Sequence, residues 1–227
     1  MFDDFSKRSK AVRAALDLAK EKSWGDISLA DIAQAANVGL ADLRREFTCK
    51  TDILRAFQAE IDTESLAKAR AAAEGQSPRD RLFDIVMTRF EAMQPYKSAL
   101  KRIAAHLCCR PGEAATHLCG SLASQYWMLA GAGVKLDGPG GALRVAGLTA
   151  IYGRVFQVWL DDDTPSLDKT MAALDKRLGK GERMLSGIEM ACGDVCRIAC
   201  GLLPKDWKRG SRSQPQPDAG PAPAASV

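Results

Sequence analysis

Arg44 and Arg45 stand side by side, Lys50 follows, and Lys7, Arg8, Lys10 and Arg13 crowd the beginning of the chain. Cations at such spacing suit contact with nucleic-acid phosphates, where affinity comes from charge and from hydrogen-bond donors. Carboxylates are interleaved with them: Asp42 and Glu46 flank the arginine pair, and residues 1–55 hold ten Lys and Arg against nine Asp and Glu. That balance is near +1, so any grip on a polyanion depends on where individual side chains point rather than on net charge.

Other reactive residue types are present, and their spacing argues against catalysis or metal binding. His106-Leu107-Cys108-Cys109 and His117-Leu118-Cys119 repeat a His-Leu-Cys pattern across a Pro-Gly turn. Zinc sites usually contain a close Cys-x-x-Cys or His-x-x-x-His pair, which is absent here, and neighbouring residues on a helix diverge. Helix-end packing is the expectation, with no metal. Asp161-Asp162-Asp163 cannot converge on one ion within a single turn, so a solvated turn is expected, with Thr164 or Ser166 capping the next helix. Cys192, Cys196 and Cys200 share a helical face and read as small buried side chains. The only two histidines lie in one segment, no nucleophile stands beside a base, and no glycine-rich phosphate loop follows a strand. No enzymatic activity and no cofactor are expected.

The cations must be positioned by the stretch Ser28–Lys50, SLADIAQAANVGLADLRREFTCK. Leu29, Ile32, Ala33, Ala36, Val38, Leu43 and Phe47 fall at the spacing of two short amphipathic helices joined by a tight turn. Ser28 is a good N-cap and Asp31 can answer it as an acidic capping box. Asn37 suits the left-handed residue that the turn needs. A second helix over Gly39–Phe47 would turn Leu43 and Phe47 inward and Asp42, Arg44 and Arg45 outward. This is the layout of a helix-turn-helix whose second helix can enter a DNA major groove. A helix over Phe5–Lys22 precedes it, and another begins near Thr51.

This arrangement resembles the N-terminal domain of the TetR family of transcriptional regulators. The matching residues are Ile27-Ser28-Leu29-Ala30-Asp31-Ile32-Ala33, Ala36, Val38, Leu43, Phe47 and Lys50. Four positions depart from the family: Arg44 replaces its Tyr, Glu46 its aromatic or His, Asp42 its small hydroxyl residue, and Gly39 its Ser. The resemblance implies a homodimer in which Arg44 and Arg45 read an operator. Lys50 and the Lys7–Arg13 cations, Lys10 among them, would anchor phosphates, and Leu40 and Ser28 complete the expected DNA-binding set.

The remaining chain reads as all-α: a helical bundle with strand signals almost absent. Forty-six per cent of the residues are hydrophobic, enough for a normal core. The expected division is a helix-turn-helix domain over 1–50, an antiparallel helical ligand-binding and dimerisation body over 51–203, and a disordered tail over 204–227 rich in Pro, Ser and Ala. Ser77 and Pro78 open one body helix, and GAGVKLDGPGG (131–141) reads as a loop. Ala142, Ala146, Ala150 and Gly153 form a small-residue stripe suited to close approach of another backbone, in the core or, preferably, across a dimer. Gly179-Lys180-Gly181 reads as a break before a last helix over Glu182–Leu203. No apolar run is long enough to span a bilayer, no signal core is present, and seven cysteines suit a reducing cytoplasm. Phe90, Met93, Tyr96, Trp127, Tyr152 and Phe156 are the expected lining of a cavity for a hydrophobic small molecule or lipid.

From Arg81 to Leu178 the chain is also similar to the lipid-binding accessory family of ubiquinone biosynthesis, itself TetR-like in fold. Pro95-Tyr96, Trp127, Ala130-Gly131, Arg144, Leu148, Ala150-Ile151-Tyr152, the Asp-rich turn Asp161-Asp162-Asp163, Thr170, Leu174 and Arg177 carry that similarity. It implies, as the alternative to a DNA-binding regulator, a lipid carrier that no longer binds DNA. Gly141 and Ala142 stand where that family has a partner-docking Trp-Tyr pair. Its membrane-associating last helix would correspond to Glu182–Leu203, a weak peripheral contact helped by the Lys205–Arg212 cluster.

Overall fold

The first two α-helices each start at a serine whose side chain caps them. The computed structural model describes residues 6–71 and 75–183, and no strand occurs among them. Ser6 accepts from the Ser9 amide at 3.0 Å and opens α1 (Lys7–Glu21), which buries Ala11, Val12, Ala15, Leu16 and Ala19. A 3₁₀ turn, Trp24–Asp26, buries Trp24 and leads to α2 (Leu29–Ala35). There Ser28 and Asp31 form the capping box: the Asp31 amide donates to the Ser28 hydroxyl, and Asp31 accepts from the Ser28 amide and hydroxyl. Asn37 takes the left-handed conformation, φ 51°, and α3 (Leu40–Glu46) follows.

The body is built from α4 (Lys50–Ala71), α5 (Pro78–Met93), α6 (Lys97–Cys108), α7 (Pro111–Gly131), α8 (Gly138–Leu160) and a further helix, α9, over 168–183. Ser77 caps α5 and Pro78 takes its first turn, where a missing amide proton costs nothing. A 3₁₀ turn at Gln94–Tyr96 separates α5 from α6. Helix α4 packs against α5 and α7, α7 against α8, and α1 against α6. Head and body thus share one compact unit extending through Arg183. No helix among the described residues is long and apolar enough to cross a membrane.

Two expected helix breaks are placed differently, both at glycines. The segment 131–141 is not one loop, because α7 runs to Gly131 and α8 begins at Gly138, with Pro139 in its first turn. Nor do Gly179 and Gly181 break a helix, since α9 continues through both. A Cβ on Gly181 would lie 2.9 Å from Ile151 Cδ1, so the missing side chain serves close approach of α9 to α8. The expected last helix beyond Arg183, the Cys192–Cys200 stripe, the basic cluster and the tail lie outside the described residues.

Gly141 is constrained more tightly, because a Cβ there would collide with the Leu136 carbonyl oxygen. Backbone must move to admit it, so Gly141→Ala is expected to cost about 3 kcal/mol, read as a lowered urea midpoint. Gly147→Ala in the same helix meets nothing within 4 Å. It should gain several tenths of a kcal/mol instead, from helix propensity.

A candidate nucleic-acid interface on the head

Helix α3 buries one residue, Leu43, and turns the rest of its seven toward solvent to different degrees. Leu40, 55% exposed, and Arg44 sit one turn apart on the same outward edge. Arg44 has no ion-pair or hydrogen-bond partner among the described residues. Arg45 also points outward but bonds the Asp42 carboxylate at 3.0 Å, while Lys7 from α1 reaches the other oxygen of Asp42 at 2.8 Å. These contacts, that of Lys7 foremost, hold the Asp42 carboxyl below the usual carboxylate range. Both pairs are exposed, and surface pairs of this kind contribute at most about 1 kcal/mol. Arg8 lies over the Phe47 ring at 5.0 Å and donates to the Glu46 carbonyl oxygen at 3.4 Å. Lys7 and Arg8 therefore brace α3 against α1.

The other expected contacts are placed unevenly. Lys10 is exposed and without a partner among the described residues, whereas Arg13 is half-buried and engaged. Lys50 differs from its expected role as a phosphate anchor. Its ammonium donates to the carbonyl oxygens of Trp24 and Ile27, both at 2.7 Å, and lies over the Trp24 ring at 5.0 Å. Burial pushes its pKa down. Two of its three N–H donors thus close the turn before α2, leaving at most one for an anion. Ser28 differs as well: its hydroxyl proton goes to Asp31, inside the capping box. Among the described residues of the expected set, the donors left for a phosphate or base edge are those of Arg44, Lys10, one N–H of Lys50 and, on leaving Asp42, Arg45.

In the body, the expected ligand lining divides. Phe90, Met93 and Tyr152 are buried and Phe156 half-buried. Phe90 stacks on Tyr152 at 5.2 Å between centroids, Tyr152 on Phe156 at 6.2 Å, and Phe156 on Trp159 at 5.5 Å. Tyr96 stands apart, edge-on to Phe57. Trp127 does not line the interior: it is 58% exposed, edge-on to an equally outward Tyr126. Its place inside is taken by Ser124 and Gln125, the next residues round the helix.

The reason lies in a polar cluster that the apolar pattern hides. Arg89 on α5, 2% exposed, donates to Asp62 on α4 and, through Nε at 3.0 Å, to the Tyr152 hydroxyl on α8. Ser124 on α7 donates to the second Asp62 oxygen at 2.6 Å. Burial raises the Asp62 pKa against the opposing pull of Arg89 and Ser124. A cue was present in the sequence: Arg89 falls in the core register of α5, between Leu82, Ile85 and Val86 on one side and Met93 on the other. An arginine at such a position implies a buried carboxylate partner.

His106, on α6, lies 3.4 Å from Glu113 and covers Gly25, where a Cβ would come 2.6 Å from the ring. Cys108 and Cys109 are exposed thiols. No group of His, Cys, Asp and Glu among the described residues is arranged to hold a metal ion.

A scan against protein-family models finds no match, and neither does a search of curated proteins. Solved structures do match. A TetR transcriptional regulator from Nitrosomonas europaea superposes with TM-score 0.62 at 20% identity, covering 78% of this chain and 98% of its own. A TetR-family regulator from Streptomyces coelicolor gives TM-score 0.52 at 17% identity, covering 88% and 90%. Thermus thermophilus FadR, a TetR-family repressor solved with lauroyl-CoA, gives 0.50 at 17%, covering 93% and 100%. With a capped helix-turn-helix joined to a helical body, this chain has the fold of the TetR-family transcriptional regulators.

Proposed function

We propose that the chain is a transcriptional regulator that binds an operator as a homodimer through α3 and responds to a hydrophobic small molecule held in the body. The observation that carries the reading is the outward edge of α3, where Leu40 and Arg44, which has no partner among the described residues, stand one turn apart on a helix braced by Lys7 and Arg8. An arginine and an aliphatic side chain at that spacing can address a guanine edge and a thymine methyl in the major groove. Arg45 adds a phosphate contact, because exchanging an exposed carboxylate for a phosphate costs little. The small-residue stripe of α8 is exposed at Ala142, Ala146, Ala150 and Gly153, which suits contact with a second copy and so a pair of heads reading two half-sites. The rings of Phe90, Tyr152 and Phe156 stack on one another, so a ligand would have to part them, entering beside the half-buried Phe156. Occupancy would favour one arrangement of α4 and hence one spacing of the heads. The lauroyl-CoA held by the Thermus neighbour is in keeping with an apolar ligand in such a body.

The test is a fluorescence-anisotropy titration on the DNA upstream of the chain's own coding region, at two salt concentrations. Sequence-selective binding that weakens steeply with salt is expected. Arg44→Ala with Arg45→Ala should weaken it about 100-fold or more, with the helical circular-dichroism spectrum unchanged because both side chains are exposed. Absence of binding at low salt overturns the reading. An isoprenoid lipid co-purifying with such a non-binding chain would establish the carrier alternative.

A further inference from the structure

Helix α7 presents an uncharged face to solvent. No Asp, Glu, Lys or Arg occurs between Glu113 and Lys135, although Leu122, Ala123, Tyr126, Trp127, Ala130 and Gly131 are all exposed. A solvated helix face normally carries charge, and an aromatic pair left in water is the kind of patch that marks an interface. Leu122 is 36% exposed, Tyr126 47%, Trp127 58%, and Leu143 on the adjoining α8 41%. With the exposed alanines of α7 and α8 they amount to roughly 600 Å² per chain, close to the ≈800 Å² per partner of a standard interface.

We propose that the exposed face of α7, centred on Trp127, joins α8 in the contact between two copies of this chain. The inference rests on the homodimer of the preceding reading and extends its surface beyond the α8 stripe. Two features select a second copy as the occupant. The surface combines knobs (Tyr126, Trp127, Leu143) with shallow positions (Ala142, Ala146, Ala150) on consecutive, mutually packed helices. A two-fold contact requires that self-complementarity, because each patch must fit itself. The α7 face is also neutral, so two copies meet there without desolvating a charge or opposing like charges. An anionic membrane surface would need cations that the α7 face lacks.

Sedimentation equilibrium on the full chain tests this with three variants. Trp127→Glu should raise the dimer dissociation constant at least about 100-fold, as expected for an aromatic anchor replaced by a buried charge. Trp127→Phe should shift it less than about tenfold. Ala146→Glu on α8 should also split the dimer, which separates the two claims. If Ala146→Glu dissociates the protein and Trp127→Glu does not, the α7 contact is refuted while the homodimer stands. A wild-type chain that remains monomeric well above micromolar concentration refutes both. Trp127 lies in water in the monomer, so the helical spectrum of Trp127→Glu should match wild type and exclude misfolding as the cause.

Discussion

Replacing Arg89 by methionine is expected to remove about 3–5 kcal/mol of folding stability, among the largest single-residue losses available in this chain. The methionine fills most of the volume, so the loss is not a cavity effect. It arises because, among the described residues, the buried Asp62 keeps only Ser124 as a partner, and because the Tyr152 hydroxyl loses its donor. Two controls isolate that cause. Arg89→Met with Asp62→Leu removes the orphaned charge and should recover most of the loss, since apolar replacement of a whole buried pair is often neutral. The second control is pH. Burial already holds the folded-state pKa of Asp62 above its unfolded value, and deleting Arg89 removes the main opposing pull. A raised carboxyl pKa gives stability that is present below the unfolded value and lost as pH rises through the folded one. The deficit of Arg89→Met should therefore be smallest on the acid side of the ordinary carboxylate range and grow toward neutrality. Urea midpoints of wild type and both variants at several pH values would show it. A deficit independent of pH would mean that packing, not the carboxylate, sets the cost.

The head was legible in the sequence because its determinants are local. Ser28 and Asp31 form a cap within one turn of helix, and Asn37 answers to the φ of a single residue. Alternation between Leu43 and its polar neighbours then settles which edge of α3 faces outward. What stayed hidden depends on partners distant in sequence. Nothing near Lys50 indicates that its ammonium closes on two carbonyls more than twenty residues earlier. Helix α7 shows the limit of periodicity most clearly. With no charge between Glu113 and Lys135, neither face is marked as solvent, and apolarity alone points the aromatic residues inward. The Asp62–Arg89 pair overrides that preference by drawing Ser124 into the core, which rotates Tyr126 and Trp127 outward. The same pair explains why inward-facing aromatic residues could be read on α5 and α8 but not on α7.

Asp162→Ala should lower stability by about 3–5 kcal/mol, a cost invisible in a sequence that reads as three solvated carboxylates. Asp161 and Asp163 do face solvent, and Asp161 pairs with Lys101 at 2.7 Å. Asp162 is fully buried. It accepts from the amide and hydroxyl of Thr164 at 3.2 and 2.6 Å, and from the amide and hydroxyl of Thr170 at 2.8 and 2.7 Å. Its own carbonyl oxygen accepts from Lys97, whose ammonium lies over the Trp159 ring. One carboxylate thereby fixes the end of α8 and the start of α9, and its backbone holds the start of α6. Alanine would leave two buried donors of Thr170 without acceptors, each costing about 1–3 kcal/mol. Burial works to raise the Asp162 pKa, but the four hydrogen bonds to the ionised form outweigh it and hold it far below the usual carboxylate range. A depressed carboxyl pKa gives stability that is present above the unfolded value and lost as pH falls toward the folded one. Wild type should therefore lose stability as pH drops below the ordinary carboxylate range. Asp162→Asn, which cannot release a proton, should lose less over the same interval while starting from a lower value at neutral pH. Thermal midpoints of the two proteins would converge as pH falls. Parallel curves would show that Asp162 holds the turn through shape alone and that its charge contributes nothing.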